Sequence, residues 1–308
     1  MVKPGVKAVI LINHGGGTAK RDPEIGPKVE AALRAAGVDG EVELLDGPGV
    51  AARAKEAVEA GAPLIIAGGG DGTISAAAGA IAGSETVLGV LPLGTLNHFA
   101  RDLGVPFDLA GAAAVIGAGH ERRVDAADLN GRVFINNSAL GLYPLMVVDR
   151  DTQEKRLGRS KKFALVVAGI RTLARFKHQR LTLTVNETRG GSVETPLLFV
   201  GNNDYSLEMP AAGSRRALDE GRLCVMVLRK KGRLGRLAAS LRALTGRMRG
   251  DDMVRLDNVQ RLRVSSHRSV LAVAIDGETE HLKPPLDYRI RAGALRVLAP
   301  SSMSNSAG

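Results

Sequence analysis

Residues 64–83 read LIIAGGGDGTISAAAGAIAG. The four apolar residues are too few for a helix turn pair and carry no polar alternation. They predict a strand buried on both faces, as in parallel sheets covered by helices. The alanine-rich run after Thr73 predicts a helix. A turn between them needs one glycine or two, but three stand here, followed by Asp71 and Gly72. Glycine removes the Cβ that would hold a bulky anion away, and it tolerates positive φ. Backbone N–H groups crowded at a strand-to-helix turn cradle phosphate, helped by the helix N-terminus. Gly68, Gly69, Gly70 and Gly72 are candidates for that cradle, with Thr73 as a helix cap. Asp71 beside phosphates is repulsive unless a cation bridges the two or a proton is removed there, which points to a magnesium nucleotide.

The surrounding chain repeats the pattern. Strands are predicted at 7–13, 41–46, 62–69 and 86–94, alternating with helices at 27–37, 50–61, 73–83 and 95–104. Such alternation predicts a three-layer α/β unit with its ligand crevice at the carboxyl ends of the strands. The glycines at 15–17, 68–70 and 94 all fall at those ends. The second loop, PLGTLNHFARDLG at 92–104, again follows a strand with Gly94, Thr95 and Asn97 before a helix. There is no G-x-x-x-x-G-K-[ST], so the cradle is not a P-loop, and the cluster follows the third strand, not the first as in a dinucleotide fold.

From residue 123 the rhythm changes to short runs separated by turns. An Asn-Gly pair at 130–131 predicts a hairpin. Further strands are predicted at 181–187, 195–201, 223–228, 260–266, 269–278 and 295–300. They predict an antiparallel sandwich, interrupted by helices at 161–176 and 233–248. The expected division is an α/β domain over 1–126, a β-sandwich over 127–300 whose last strand can return to the first domain, and a disordered polar tail at 301–308.

Charge divides the same way. Residues 1–150 carry thirteen Lys/Arg against seventeen Asp/Glu, whereas 151–308 carry 29 against fifteen. The basic half predicts an anionic partner, a nucleic acid or an acidic membrane surface. Aromatic residues make up 3% and Trp is absent, which disfavours base stacking, so no specific nucleic acid is expected. Residues 155–180 and 229–249 hold nine and eight Lys/Arg with no acid, and Leu234, Leu237, Leu241 and Leu244 make one apolar stripe in the latter. That pattern fits a helix lying on an anionic bilayer. The single cysteine, Cys224, sits in an apolar run and reads as a buried thiol in a reducing compartment. No apolar run reaches the ~20 residues of a membrane span, so the expectation is a cytoplasmic protein bound peripherally to membrane. The oligomeric state stays open, a homodimer included.

GGGDGT followed by PLGTLNHFARDLG resembles the diacylglycerol kinase catalytic domain family, which includes sphingosine and ceramide kinases. VDAADLN (124–130), VGNNDY (200–205), RRALDEGRLCVMVL (215–228) and AIDGE (274–278) extend the resemblance over nearly the whole chain. It implies a nucleotide domain similar to NAD kinase and phosphofructokinase, a C-terminal β-sandwich, and a site in the cleft between. It further implies ATP and Mg²⁺ as cofactors and a lipid alcohol as acceptor. Asn13, Gly68 to Thr73, Gly94, Thr95 and Asn97 would then hold the nucleotide. Asp276 matches the family's general base in bacterial members and Asp71 the one credited in sphingosine kinases, with Glu278 beside them as a third catalytic candidate. A carboxylate within reach of an alcohol can take its proton during transfer.

The chain departs from the family at three places. Its first loop reads NHGGG in place of Asn-Pro-x-Ser/Ala-Gly, His98 stands where an Asp is usual, and Cys224 where the structural-magnesium motif has another Asp. Asp125 and Asp219 are the candidates for that metal. The histidines show no paired spacing for zinc. Competing readings are an NAD kinase-like or other small-molecule kinase, a nucleic-acid-binding protein and a non-catalytic lipid sensor.

Overall fold

The computed structural model describes residues 7–15, 22–141, 179–206, 214–228 and 253–301. The helices expected at 161–176 and 233–248, the tail after Ser301, Gly16, Gly17 and nearly all of both basic runs lie outside them.

The first part of the chain forms β1 (Ala8–Asn13), α1 (Ile25–Ala35), β2 (Gly40–Leu45), α2 (Gly47–Glu59), β3 (Leu64–Gly69), α3 (Asp71–Ile81), β4 (Val87–Pro92), α4 (His98–Leu103) and α5 (Leu109–Ala118). The strands pair in parallel in the order β2-β1-β3-β4. β3 and β4 are buried along their whole length, because α2 and α3 pack together on one face and α1 and α5 on the other. This is the expected three-layer α/β unit. α5 was not anticipated. Its run LAGAAAVIGA offers no polar face to set a period, yet Asp108 caps it by accepting from the Gly111 amide at 2.7 Å, and Gly119 ends it at φ 66°.

The second part adds β5 (Glu121–Leu129), β6 (Arg132–Phe134), β7 (Asn137–Gly141), β8 (Gln179–Val185), β9 (Thr188–Thr195), β10 (Leu197–Asn202), β11 (Leu223–Leu228), β12 (Met253–Val259), β13 (Arg261–Ser266), β14 (Leu271–Ile275), β15 (Glu278–Leu282) and β16 (Leu286–Leu298). One antiparallel sheet runs β12-β11-β10-β7-β14-β15. The other strands extend the first sheet as β4-β16-β13-β8-β9, with β5 on β16 and β6 on β5.

The thirteen-residue β16 belongs to both parts. Arg296 and Val297 pair in parallel with β4, while residues 286–289 pair antiparallel with β13. Val124, Leu295 and Val297 sit in the α/β core, whereas Leu129, Leu286 and Tyr288 sit in the core between the two sheets. β5 and β16 therefore couple the two cores through backbone pairing. The boundary drawn at residue 126 falls inside β5. No helix among the described residues is long and apolar enough to cross a membrane.

Two hairpins carry the Asn-Gly and Asp-Gly signals. Asn130 (φ 50°) and Gly131 (φ 90°) turn β5 into β6, and Asp276 (φ 46°) and Gly277 (φ 89°) turn β14 into β15. Positive φ at both central residues is the type I′ geometry, which glycine adopts without strain.

Candidate functional site

The two glycine loops touch. A Cβ on Gly94 would stand 2.3 Å from the Gly70 Cα, so the loops can pack this closely only with no side chain there. Neither glycine has positive φ, and the same holds for Gly68, Gly69 and Gly72, so here the missing Cβ matters and the freedom of φ does not. The reasons differ along the run. Gly68 and Gly69 lie buried in β3, where a Cβ would run into the Ile12 Cδ1 at 2.4 Å or the Thr73 side chain at 2.6 Å. They make room for protein. Gly70 and Gly72 line a cleft of about 520 Å³, together with Asn13, Gly47, Pro48, Ala51, Thr73, Ala76, Gly94, Thr95 and Glu278.

α3 starts at Asp71, earlier than expected. Gly70 is its N-cap, with no side chain capping the first amides. The cap role expected of Thr73 is therefore corrected: its buried hydroxyl accepts from the Asn13 Nδ2 at 2.8 Å and ties β1 to α3. The uncapped N-terminal amides give the cleft its partial positive charge. Gly47 and Pro48, at the start of α2, were not anticipated as cleft residues.

Asp71 and Asn97 organise the loops. The Asp71 Oδ1 accepts from the Phe99 amide at 3.1 Å, which caps α4 from α3. Asn97 is buried, adopts left-handed geometry (φ 50°), accepts from the Gly94 amide at 3.0 Å and donates to the Gly94 carbonyl at 3.0 Å. Its side chain is thus spent on holding the loop, and neither it nor Asp71 is among the cleft-lining residues.

Beyond Gly72 and Ala76 a second cavity of about 330 Å³ opens, lined by Ser75, Gly79, Gly131, Arg132, Val133, Ile275 and Asp276 as well as Gly72, Ala76 and Glu278. The two cavities meet at those last three residues. Asp276 occupies both oxygens with donors. Oδ1 accepts from the Asn136 and Asn137 amides, each at 2.9 Å, and Oδ2 accepts from the Ile135 amide at 2.9 Å and from the Ser75 hydroxyl. Four donors match the four lone-pair sites of a carboxylate. Burial pushes this carboxyl above its ordinary range, and the four hydrogen bonds oppose the rise. Glu278 is exposed, bonded to Arg132 Nη2 at 2.8 Å, with Oε1 3.8 Å from where a Cβ on Gly72 would lie.

Three residues that sequence reasoning missed close a circuit. Arg215 is fully buried, donates from Nε to Asp102 of α4 at 2.7 Å, and donates to the Ile135 carbonyl at 2.6 Å and the Asn136 Oδ1 at 3.0 Å. The amides of that same Ile135–Asn137 segment bind Asp276, which binds Ser75 of α3. α3 in turn caps α4 through Asp71. Ser75 was findable, since it stands four residues after Asp71 and therefore on the same helix face. Nothing local marks Arg215.

The proposed magnesium pair has other partners. Asp125 is buried and its two oxygens accept from the Gly221 amide at 2.7 Å and the Gly293 amide at 2.8 Å. Asp219 is exposed and paired with Arg122 at 3.1 Å. Near the expected motif, guanidinium groups of Arg222 and Arg255 contact Asp204 instead. Among the described residues no group of three His, Cys, Asp or Glu could hold a metal. Asp125 and Asp219 therefore do not form one side-chain cluster for a cation. A larger cavity of about 640 Å³ on the sandwich is lined by Arg261, Arg263 and Arg289, each paired with Glu187, Asp287 or Asp128.

A parallel α/β unit with glycine loops at its strand ends, closed by a β-sandwich, defines a class of nucleotide-site proteins. Residues 7–129 match the diacylglycerol kinase catalytic domain, and residues 146–299 the YegS C-terminal NAD kinase beta sandwich-like domain. The chain belongs to the diacylglycerol kinase family. It is 29% identical over 260 residues to the diacylglycerol kinase of Staphylococcus aureus (strain JH9), covering 82% of this chain and 79% of that one. A solved diacylglycerol kinase structure from Bacillus anthracis str. Sterne aligns at TM-score 0.68 with 20% identity, over 96% of this chain and 97% of that one. An NAD kinase from Archaeoglobus fulgidus, solved with ATP, aligns at TM-score 0.51 with 12% identity, over 96% and 94%. The expected fold class stands.

Proposed function

We propose that this protein is an ATP-dependent lipid kinase that transfers a γ-phosphoryl group to the hydroxyl of a lipid alcohol. The observation that carries the reading is the meeting of two cavities at Gly72, Ala76 and Glu278, one under the glycine loops and one against Asp276. The nucleotide belongs in the first, its phosphates on the amides of Gly70, Gly72 and Gly94, with Asn13, Thr73 and Thr95 around them. The acceptor belongs in the second. Gly68, Gly69 and Asn97 support the cradle from behind.

The proton goes to Asp276. Three of its four donors are backbone amides and cannot turn, whereas the Ser75 hydroxyl can. An acceptor hydroxyl that takes the place of Ser75 on Oδ2 reaches a carboxylate raised by burial toward a useful base. Glu278 is the carboxylate that lines both cavities, and Mg²⁺ bound with ATP would be held by it, with Asp71 at the start of α3 outside the cleft lining. The metal supplies charge neutralisation on the transferring group.

The acceptor class rests on the relatives named above and on the basic half of the chain, which suits an anionic bilayer. The test is ATP-dependent labelling of diacylglycerol, sphingoid base and polyprenol in anionic vesicles, with NAD as a further acceptor. Labelled lipid supports the reading, labelled NAD favours the NAD kinase-like alternative, and labelling of neither overturns both. Co-sedimentation with vesicles that ignores anionic lipid and salt would remove the peripheral-membrane part.

A further inference from the structure

We propose that Arg132 is a further catalytic residue, the cation that meets the γ-phosphoryl group after exchanging it for Glu278. The inference rests on the kinase reading above. Among the described residues lining the two adjacent cavities, Arg132 is the only cation, beside the acids Asp276 and Glu278. A triphosphate needs more positive charge than helix amides supply, and this is the side chain positioned to provide it.

Its placement is built by the fold. Asn130 and Gly131 make the tight turn of the hairpin, and Arg132 pairs with Leu129 at the first position of β6. From there Nη2 holds the Glu278 Oε2 at 2.8 Å, and Nη1 contacts Glu280 two residues along β15. The other Glu278 oxygen faces Gly72 in the first turn of α3. The Glu278 carboxylate thus stands between a guanidinium and a helix N-terminus, an anion position with donors on both sides. Arg132, Glu278 and Glu280 are 36%, 67% and 39% exposed, so the pair is weak and readily exchanged. The fully buried Arg215–Asp102 pair has no such freedom.

A γ-phosphate over Gly72 offers Arg132 a doubly charged partner, two of whose tetrahedrally arranged oxygens the planar guanidinium fork can bind with parallel bonds. In the transfer, the acceptor oxygen forms a bond to Pγ and the bond from Pγ to the bridging oxygen breaks. That electron pair leaves on ADP, and the hydroxyl proton passes to Asp276. Arg132 neutralises charge on the equatorial oxygens of the moving group. Glu278, released, would be free to hold Mg²⁺ bound with the nucleotide.

The test is titration of the full chain with Mg²⁺·ADP and with a non-hydrolysable Mg²⁺·ATP analogue, for wild type, Arg132→Ala and Arg132→Lys. The wild type should prefer the analogue. Arg132→Ala should weaken the analogue by about 10- to 100-fold and leave ADP within about twofold, with Arg132→Lys between. Circular dichroism of each variant checks that the exposed substitution leaves the fold intact. An unchanged preference, or equal weakening of both nucleotides, overturns the role of Arg132 and leaves the kinase reading standing. Binding of neither nucleotide by the wild type overturns both.

Discussion

Arg215 lies 2.7 Å from Asp102, Nε to Oδ2, with their side chains 0% and 2% exposed. The guanidinium also packs over the Tyr205 ring at 5.3 Å from its centroid. This pair joins α4, which carries the second glycine loop, to the Ile135–Asn137 segment that holds Asp276. This buried charge pair is thus one of the links, with Ser75–Asp276, that register the two halves of the site.

Removing Asp102 leaves the Arg215 guanidinium without its carboxylate in a dry interior, at about 3–5 kcal/mol, whereas removing Arg215 leaves Asp102 the half-exposed Arg101 at 3.3 Å. Asp102→Asn should lose that much in urea unfolding, and Arg215→Met should fall in the same direction. A loss under about 1 kcal/mol would mean that the segment is held by its backbone pairing alone.

Gly72 and Gly94 separate ligand space from packing space. The nearest atom to a Cβ at Gly72 is the Glu278 Oε1 at 3.8 Å, so Gly72→Ala should fold normally yet weaken nucleotide binding by about tenfold or more. Gly94→Ala drives a methyl into the Gly70 backbone and should lower stability by about 1–3 kcal/mol as well as binding. Calorimetric melting with and without nucleotide distinguishes the two. Equal behaviour would show that no phosphate sits over Gly72.

Asp276→Asn puts an amide NH₂ among four donors and should cost about 1–3 kcal/mol. Turnover should fall about 10²- to 10⁴-fold. Ser75→Ala removes a hydrogen bond that lowers the Asp276 carboxyl, so that carboxyl rises further. A base must be deprotonated to act, hence the acid limb of the kcat/KM profile, which reports the free enzyme, should move to higher pH in Ser75→Ala. An unmoved limb argues against Asp276 as the titrating base.

The Arg296 hydrogen bond holds the Glu121 carboxyl below its ordinary 4.5. A depressed carboxyl contributes stability above its unfolded pKa and loses it as the pH falls through the folded value. Glu121→Gln should therefore destabilise the protein at neutral pH by up to about 1 kcal/mol, a difference that shrinks below pH 4.5. Equal loss at both ends of the pH range would show that the pair contributes no charge-dependent stability.

Cys224 is buried on β11, and burial pushes its thiol up to about 11. It should resist iodoacetamide in the native protein at neutral pH and react in denaturant. Fast native labelling would show that β11 opens.

The α/β half was legible because its signals are local. Short continuous apolar runs such as 64–67, bounded by glycines, read as buried strands, and Asn130-Gly131 and Asp276-Gly277 carry their turn geometry within two residues. α5 escaped because an alanine-glycine run shows no period. β12 and β15 escaped because their outer faces are polar: burial alternates or fails along MVRLDNV and ETEHL. The metal candidates Asp125 and Asp219 looked like ligands by their neighbours in sequence, but the Gly293 amide that fills Asp125 comes from β16.

The sequence by itself determined the strand-loop-helix order, the placing of glycine loops at the strand ends and the two-part fold, because burial period and glycine placement act over a few residues. Only the tertiary structure decided which glycines face a cavity, which acids are already saturated with donors, and that Ser75 meets Asp276 across 201 positions. A carboxylate's chemistry depends on its nearest donors, and for Asp276 and Asp125 those are donors the fold brings from far along the chain.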